Sequence, residues 1–290
     1  MSKLKVAEIF YSLQGEGRYV GVPSVFLRTF GCNFQCRGFG LPGGQETTEP
    51  ETIAEEFKRH PEWRYEDLPL ASTGCDSYAS WHPAFKSLSP TLDIPAVVHE
   101  IEEARFGVNK RLENNGSVHL VITGGEPLLG WQRAYPELFT EVQKKGYRHI
   151  TFETNGTQEI TDEFADYLLK EQITNPKAVN LTFSVSPKLP CSGERIDHAL
   201  LPEVVVGYQQ FGKVFLKFVV ATKEDVEHAF LFVRDYRDAG FVGDVYLMPV
   251  GGVPDVYQLN AKEVANLAMQ YGFYYSPRLQ VDIWKNAWGT

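Results

Sequence analysis

Four cysteines, Cys32, Cys36, Cys75 and Cys191, are the residues of this chain best suited to hold a metal or attack an electrophile. Cys32 and Cys36 lie in Gly31-Cys32-Asn33-Phe34-Gln35-Cys36 with three residues between them. In a reducing compartment disulfides are disfavoured, so clustered cysteines point to metal or catalysis. Four cysteines in 290 residues is an ordinary count, so the argument rests on their placement. A second set of chemical groups is built on glycine and carboxylate. Thr123-Gly124-Gly125-Glu126-Pro127, Glu153-Thr154-Asn155-Gly156, Ser186-Pro187-Lys188 and Leu13-Gln14-Gly15-Glu16-Gly17 each combine bare backbone with a polar side chain. Glycine lets a ligand approach the main chain, and the glutamate places a carboxylate beside it. Any one of them alone reads better as a turn. Their common position along the fold weighs against that reading.

That position follows from the elements around them. Short apolar runs predict strands at 24–30, 117–123, 149–154, 179–185, 214–220 and 244–248. Amphipathic stretches predict helices at 134–145, 161–170, 223–239 and 261–271. Continuous apolar strands joined by crossover helices imply a parallel sheet covered on both faces, in a barrel or an open doubly wound form. In either form ligands bind at the carboxyl ends of the strands, and the motifs above fall there. Residues 37–72 differ. They are rich in Gly, Pro and Glu, show no strand pattern, and carry one short helix pattern at 52–59. This stretch reads as an insertion too short for a core of its own.

The bulk numbers narrow the function. A hydrophobic fraction of 43% with 22% charged residues is that of an ordinary globular protein. No run approaches the roughly 18 apolar residues of a membrane span. The start, MSKLKVAEIF, lacks the apolar core of a secretory signal, so a cytoplasmic protein is expected. A formal charge of −9 argues against direct adhesion to nucleic acid, which needs a clustered basic surface. An anionic small molecule would need local cations set against the overall field.

The stretches EIFYSLQGEG (8–17), GVPSVFLRTFGCNFQC (21–36), CDSYASW (75–81), VITGGEP (121–127), FETNG (152–156) and SVSPK (184–188) resemble, in order, the motifs of the 7-carboxy-7-deazaguanine synthase family. That family belongs to the radical S-adenosylmethionine (SAM) superfamily. A weaker resemblance continues through LKFVV (216–220), LMPV (247–250) and RLQVDIWK (278–285). It implies a single α/β domain over 1–290, an incomplete barrel of about six parallel strands. It further implies conversion of 6-carboxy-5,6,7,8-tetrahydropterin to 7-carboxy-7-deazaguanine with loss of ammonia, in a queuosine-type pathway. Implied cofactors are a [4Fe–4S] cluster, SAM and Mg2+. Implied partners are an electron donor such as a flavodoxin or ferredoxin and a second copy of the chain.

The resemblance also implies roles for residues. The superfamily's cluster motif is Cys-x3-Cys-x2-Cys, but position 39 here is Phe39. Cys75 opens the stretch that resembles the family's third-cysteine segment. Cys32, Cys36 and Cys75 are therefore the expected cluster ligands, with the insertion between the second and third; a thiolate site needs convergence in space rather than a fixed interval. Cys75 as a buried bystander is the alternative. Cys191 matches no family role. Gly125, Glu126, Glu153, Asn155, Ser186 and Lys188 would bind SAM. Leu13, Gln14, Gly15, Glu16, Arg28 and Thr123 would bind the pterin, with Arg28 on its carboxylate and Glu16 accepting from ring N–H groups. Ser77 would place its hydroxyl on Mg2+. No side chain is assigned as the catalyst itself. Two features depart from the pattern. Gly74 replaces the bulky residue over the adenine, leaving Phe39, Tyr78 or the insertion to make that contact. Asp282 and Trp284 stand where the family often has Gln and His. The rival readings are an activase that makes a glycyl radical on a protein partner and a non-catalytic metal-binding protein.

Overall fold

The computed structural model describes residues 2–108, 119–175 and 178–290. The first two residues of the strand expected at 117–123 lie outside them. Strands β1 (Lys3–Leu13) and β2 (Pro23–Thr29) are followed by helix α1 (Glu49–Phe57), strand β3 (Thr91–Asp93) and helix α2 (Ile94–Val108). Strands and helices then alternate: β4 (His119–Gly124), α3 (Tyr135–Lys144), β5 (His149–Thr154), α4 (Asp162–Thr174) and β6 (Asn180–Val185). Short helices α5 (Ile196–Ala199) and α6 (Pro202–Tyr208) lead to β7 (Lys213–Val220), α7 (Lys223–Asp238) and β8 (Val245–Pro249). The chain continues through α8 (Pro254–Tyr271), β9 (Tyr274–Tyr275) and α9 (Leu279–Trp284).

Among the described residues all nine strands form one sheet in the order β3-β1-β2-β4-β5-β6-β7-β8-β9. The six strands expected from sequence are β2 and β4 to β8, parallel throughout. The two-residue β9 extends them in parallel. The sequence reading omitted the other edge, where β1 runs antiparallel to both β2 and β3. The sheet is open, since β3 and β9 end it without pairing to each other. No helix among the described residues is long and apolar enough to cross a membrane.

The main core packs helix stripes against strands buried on both faces, with Phe139, Phe152, Phe164 and Phe183 among its fully buried rings. A second apolar cluster packs residues 37–72, which have no core of their own. Ile53, Ala54, Tyr65 and Leu68 of that stretch pack with Tyr78, Ala79, Trp81 and Phe85 and against Trp288. The insertion gains a core by sharing one with residues 78–88 and the C-terminal segment.

At the amino ends of the parallel strands His119 is buried, its Nε2 2.8 Å from the Thr151 hydroxyl and its ring edge-on to Tyr19. Burial, with a smaller contribution from His149, lowers its pKa to about 4 from 6.5. The native state therefore holds His119 neutral where the unfolded chain would protonate it. Its contribution to stability is fully present above pH 6.5 and is lost as pH falls towards 4, up to about 3 kcal/mol. His119→Gln should flatten urea-unfolding free energies between pH 7.5 and 4.5 relative to wild type; identical slopes would refute the assignment.

Candidate active site

The carboxyl ends of the strands surround a cavity of about 230 Å3. Fifteen of the sixteen residues expected from sequence line it: Leu13, Gln14, Gly15, Glu16, Arg28, Cys32, Cys36, Cys75, Ser77, Thr123, Gly125, Glu153, Asn155, Ser186 and Lys188. Glu126 does not. It is fully buried behind the wall, where Oε1 accepts from Leu128 N at 3.0 Å and the Thr154 hydroxyl at 2.8 Å. Its Oε2 accepts from Asn155 N at 2.7 Å. In this arrangement Glu126 ties the ends of β4 and β5 together.

The cysteine loop is held from several sides. Gln35 N and Cys36 N both donate to Glu194 Oε1 at 2.7 Å, and Gly38 N donates to Ser192 O at 2.9 Å. Cys36 has φ 51°, a left-handed conformation that a non-glycine residue adopts at a cost, here sustained by the two-amide grip on Glu194. Asn33 joins this loop to the next motif, accepting from Asn155 Nδ2 at 2.9 Å and donating to the Thr157 hydroxyl at 3.0 Å. Gly125 packs so close that a Cβ there would strike the Gly31 carbonyl and lie 2.7 Å from the Cys32 Cβ. The insertion closes on itself at its base. Gly74 N donates to Phe39 O at 2.7 Å, so the chain returns beside position 39 before presenting Cys75. Thirty-odd residues are thus looped out without moving the third thiol from the cavity.

Cys32, Cys36 and Cys75 present three thiols to one cavity, the donor type an iron–sulfur cluster takes. No three His, Cys, Asp or Glu groups among the described residues converge on one metal position. In a cubane each thiolate takes its own iron, so the sulfurs stand further apart. Burial pushes the Cys32 thiol up to about 12, and Cys36 and Cys75 also rise. Lys188 opposes the rise at all three, so a cation already faces the place where thiolates would form. Phe34 N donates to Cys32 Sγ at 3.4 Å, a contact that favours the deprotonated sulfur. Cys191 does not line the cavity; its thiol donates to Val219 O at 3.7 Å.

The cavity wall also holds a buried charge network. Glu16 is paired with Lys217 and with Arg278, the latter at 3.1 Å, and accepts from Gln280 Nε2 at 2.7 Å. Burial opposes ionisation of Glu16, but Lys217 and Arg278 outweigh it and hold its pKa at about 2. Arg278 also pairs with Asp76, which is lowered by that contact in spite of burial. Arg28 lies 3.3 Å from Glu8 and donates to the Ser77 hydroxyl at 3.1 Å, while Ser77 donates to Asp76 Oδ1 at 3.2 Å. Gln14 Nε2 reaches Glu153 at 3.0 Å.

Lys217, Asp76, Arg278 and Gln280 were not among the expected site residues, although all lie in or beside quoted motifs. For Lys217 the charge within a buried strand pattern was the available signal. Asp282 and Trp284 do not line the cavity; Gln280, two residues before Asp282, does, and Asp282 accepts from the Tyr257 hydroxyl at 3.3 Å. Of the two aromatic residues considered for the adenine, Phe39 lines the cavity. Tyr78 is fully buried and donates to Pro69 O at 2.6 Å.

No family model matches the chain. The 7-carboxy-7-deazaguanine synthase of Halobacterium salinarum is 32% identical over an alignment covering 98% of this chain and 91% of that protein. The chain belongs to the 7-carboxy-7-deazaguanine synthase family. Synthases of the same name from Pyrobaculum aerophilum and Rhodopirellula baltica are each 28% identical, over 99% and 100% of this chain and 97% and 90% of their own lengths. The crystal structure of QueE from Escherichia coli shares the fold, with a TM-score of 0.52 and 18% identity over 94% of this chain and 93% of that one.

Proposed function

We propose that the protein is a radical SAM enzyme that converts 6-carboxy-5,6,7,8-tetrahydropterin to 7-carboxy-7-deazaguanine with loss of ammonia. The observation that carries this reading is the closure of the insertion at Phe39 and Gly74, which returns Cys75 to the cavity of Cys32 and Cys36. The names of the full-length relatives support the product. A cluster and SAM supply a radical able to take one hydrogen from the substrate.

Cys32, Cys36 and Cys75 hold the cluster, with Lys188 offsetting the thiolate charge. Gly125, Glu153, Asn155, Ser186 and Lys188 form the SAM wall, and Glu126 supports it from behind. Leu13, Gln14, Gly15, Glu16 and Thr123 receive the pterin, and Arg28 its carboxylate. Glu16, kept ionised by Lys217 and Arg278, acts only as an acceptor, which suits the donor N–H edge of a pterin. Ser77 with its neighbour Asp76 offers the oxygen donors magnesium prefers. Arg28, which occupies the Ser77 hydroxyl, vacates it when it turns to a substrate carboxylate.

A partial barrel is part of the same reading. Glu16 follows β1 directly, yet meets Lys217 on β7, five strand positions away. At about 4.8 Å per strand a flat sheet would part them by roughly 24 Å, a separation that supports a curved sheet. One domain over 1–290, a cytoplasmic setting suited to free thiols, a flavodoxin- or ferredoxin-type donor and a homodimer complete the proposal.

The test is anaerobic reconstitution with iron and sulfide, then reduction and incubation with SAM and the carboxylated pterin. Equal amounts of 7-carboxy-7-deazaguanine and ammonia are expected, with SAM acting catalytically. SAM cleavage without product from this small molecule would favour the activase reading instead.

A further inference from the structure

The 37–72 insertion reaches the substrate end of the cavity by two routes. Through Leu68 it accepts the indole N–H of Trp288 at 2.7 Å, and through Tyr65 it packs edge-on to the same indole at 4.9 Å between ring centres. Tyr78 also meets Trp288 edge-on, at 6.0 Å between ring centres. Trp288 belongs to the segment Asn286–Thr290, all of which lines the cavity. That segment turns back after α9 through Lys285 and Asn286, at φ 56° and 60°, and Asn286 Nδ2 donates to Gly252 O at 2.9 Å beyond β8. On the second route Tyr65 is buried with a hydroxyl that lacks a hydrogen-bond partner among the described residues. It lies within electrostatic reach of Arg28 and Glu8.

We propose that the insertion is a buttress for the substrate wall, acting through Trp288 as a positioning residue that fixes Asn286–Thr290 against the pterin pocket. The proposal rests on the functional reading above. The insertion's shared core supplies a rigid surface that the strands do not offer on this side. Trp288 is the only side chain of the segment that both enters that core and lines the cavity among the described residues. Its N–H reads a main-chain carbonyl, so its placement depends on the path of the insertion rather than on one insertion side chain.

The experiment compares wild type with Trp288→Phe and Trp288→Ala. Net loss of one hydrogen bond predicts about a 5-fold rise in the KM for the carboxylated pterin in Trp288→Phe. Loss of the ring as well predicts a rise of about 30-fold or more in Trp288→Ala, with a smaller fall in kcat. SAM affinity, read by anaerobic calorimetry, should stay within about 2-fold of wild type. A second readout needs no turnover: tryptic cleavage after Lys285 should be slow in wild type and accelerate in the order Trp, Phe, Ala. Should Trp288→Ala fail to fold, Trp288→Phe carries both measurements. Unchanged KM together with unchanged cleavage at Lys285 would overturn the buttress. Absence of pterin turnover by the wild type would instead strike the functional reading, and the cleavage series would still decide whether the insertion holds the segment.

Discussion

Cys75→Ala is expected to lose the [4Fe–4S] cluster as completely as Cys32→Ala or Cys36→Ala, whereas Cys191→Ala keeps it. The insertion leaves after Phe39 and returns at Gly74 through a 2.7 Å main-chain hydrogen bond, so Cys75 is presented next to position 39, at the cavity that Cys32 and Cys36 also line. Two thiolates cannot replace three in holding a cubane with one iron open to SAM, and the loss should therefore be near total rather than graded. Cys191 lies outside the cavity wall on Val219 O, and its removal deletes no ligand. Iron and sulfide content after anaerobic reconstitution reads the outcome. A full complement of iron in Cys75→Ala would overturn the displaced-ligand assignment and remove the observation on which the proposed activity leans.

The parallel strands and most of the cavity were legible because each signal was local. β4, β5 and β6 read as apolar runs ending in glycine or polar clusters, and those clusters line the cavity. β1 was missed for a physical reason. Its sequence, KLKVAEIFYSL, mixes charges with apolar residues because it is an antiparallel strand buried unevenly along its length. Helix α2 was missed although its start is marked in sequence: Asp93 precedes Ile94-Pro95 and caps the helix, its carboxylate accepting from Ala96 N at 3.0 Å.

The substrate end was legible only in part. Gln14, Glu16 and Arg28 were found through motifs, but the partners that set their charge come from far along the chain. Glu16 meets Lys217 and Arg278, 201 and 262 residues away, and no local pattern reports such pairings. Gly15 shows the same limit. It reads as a turn glycine, yet a Cβ there would collide with the side chain of Gln280. The second core was hidden because its apolar residues are divided among the insertion, residues 78–88 and Trp288, none of which supplies enough on its own.

Arg28→Ala is expected to weaken binding of the carboxylated pterin by about 10²- to 10³-fold while leaving SAM affinity nearly unchanged. The guanidinium is largely buried, near Glu8 at 3.3 Å and Ser77 at 3.1 Å, on the strand that leads into Cys32. Its pKa is raised above the usual value: burial opposes the charge, but Tyr65, Glu8 and Asp76 outweigh it. It is therefore a permanent cation in the wall of the cavity. In a chain of net charge −9, and with Glu16 and Asp76 already paired to Arg278, Arg28 is the cation best placed for a substrate carboxylate. Truncation leaves Glu8 without its partner, but burial already raises the pKa of Glu8, so protonation limits the cost to the fold. The loss should then appear in ligand affinity more than in stability. Arg28→Lys should recover part of it, since an ammonium keeps the charge and loses the planar fork. Anaerobic calorimetry with SAM and with the pterin, alongside a thermal melt, separates these effects. Pterin affinity unchanged in a folded Arg28→Ala protein would withdraw this residue from the site and remove the main argument for a carboxylated substrate.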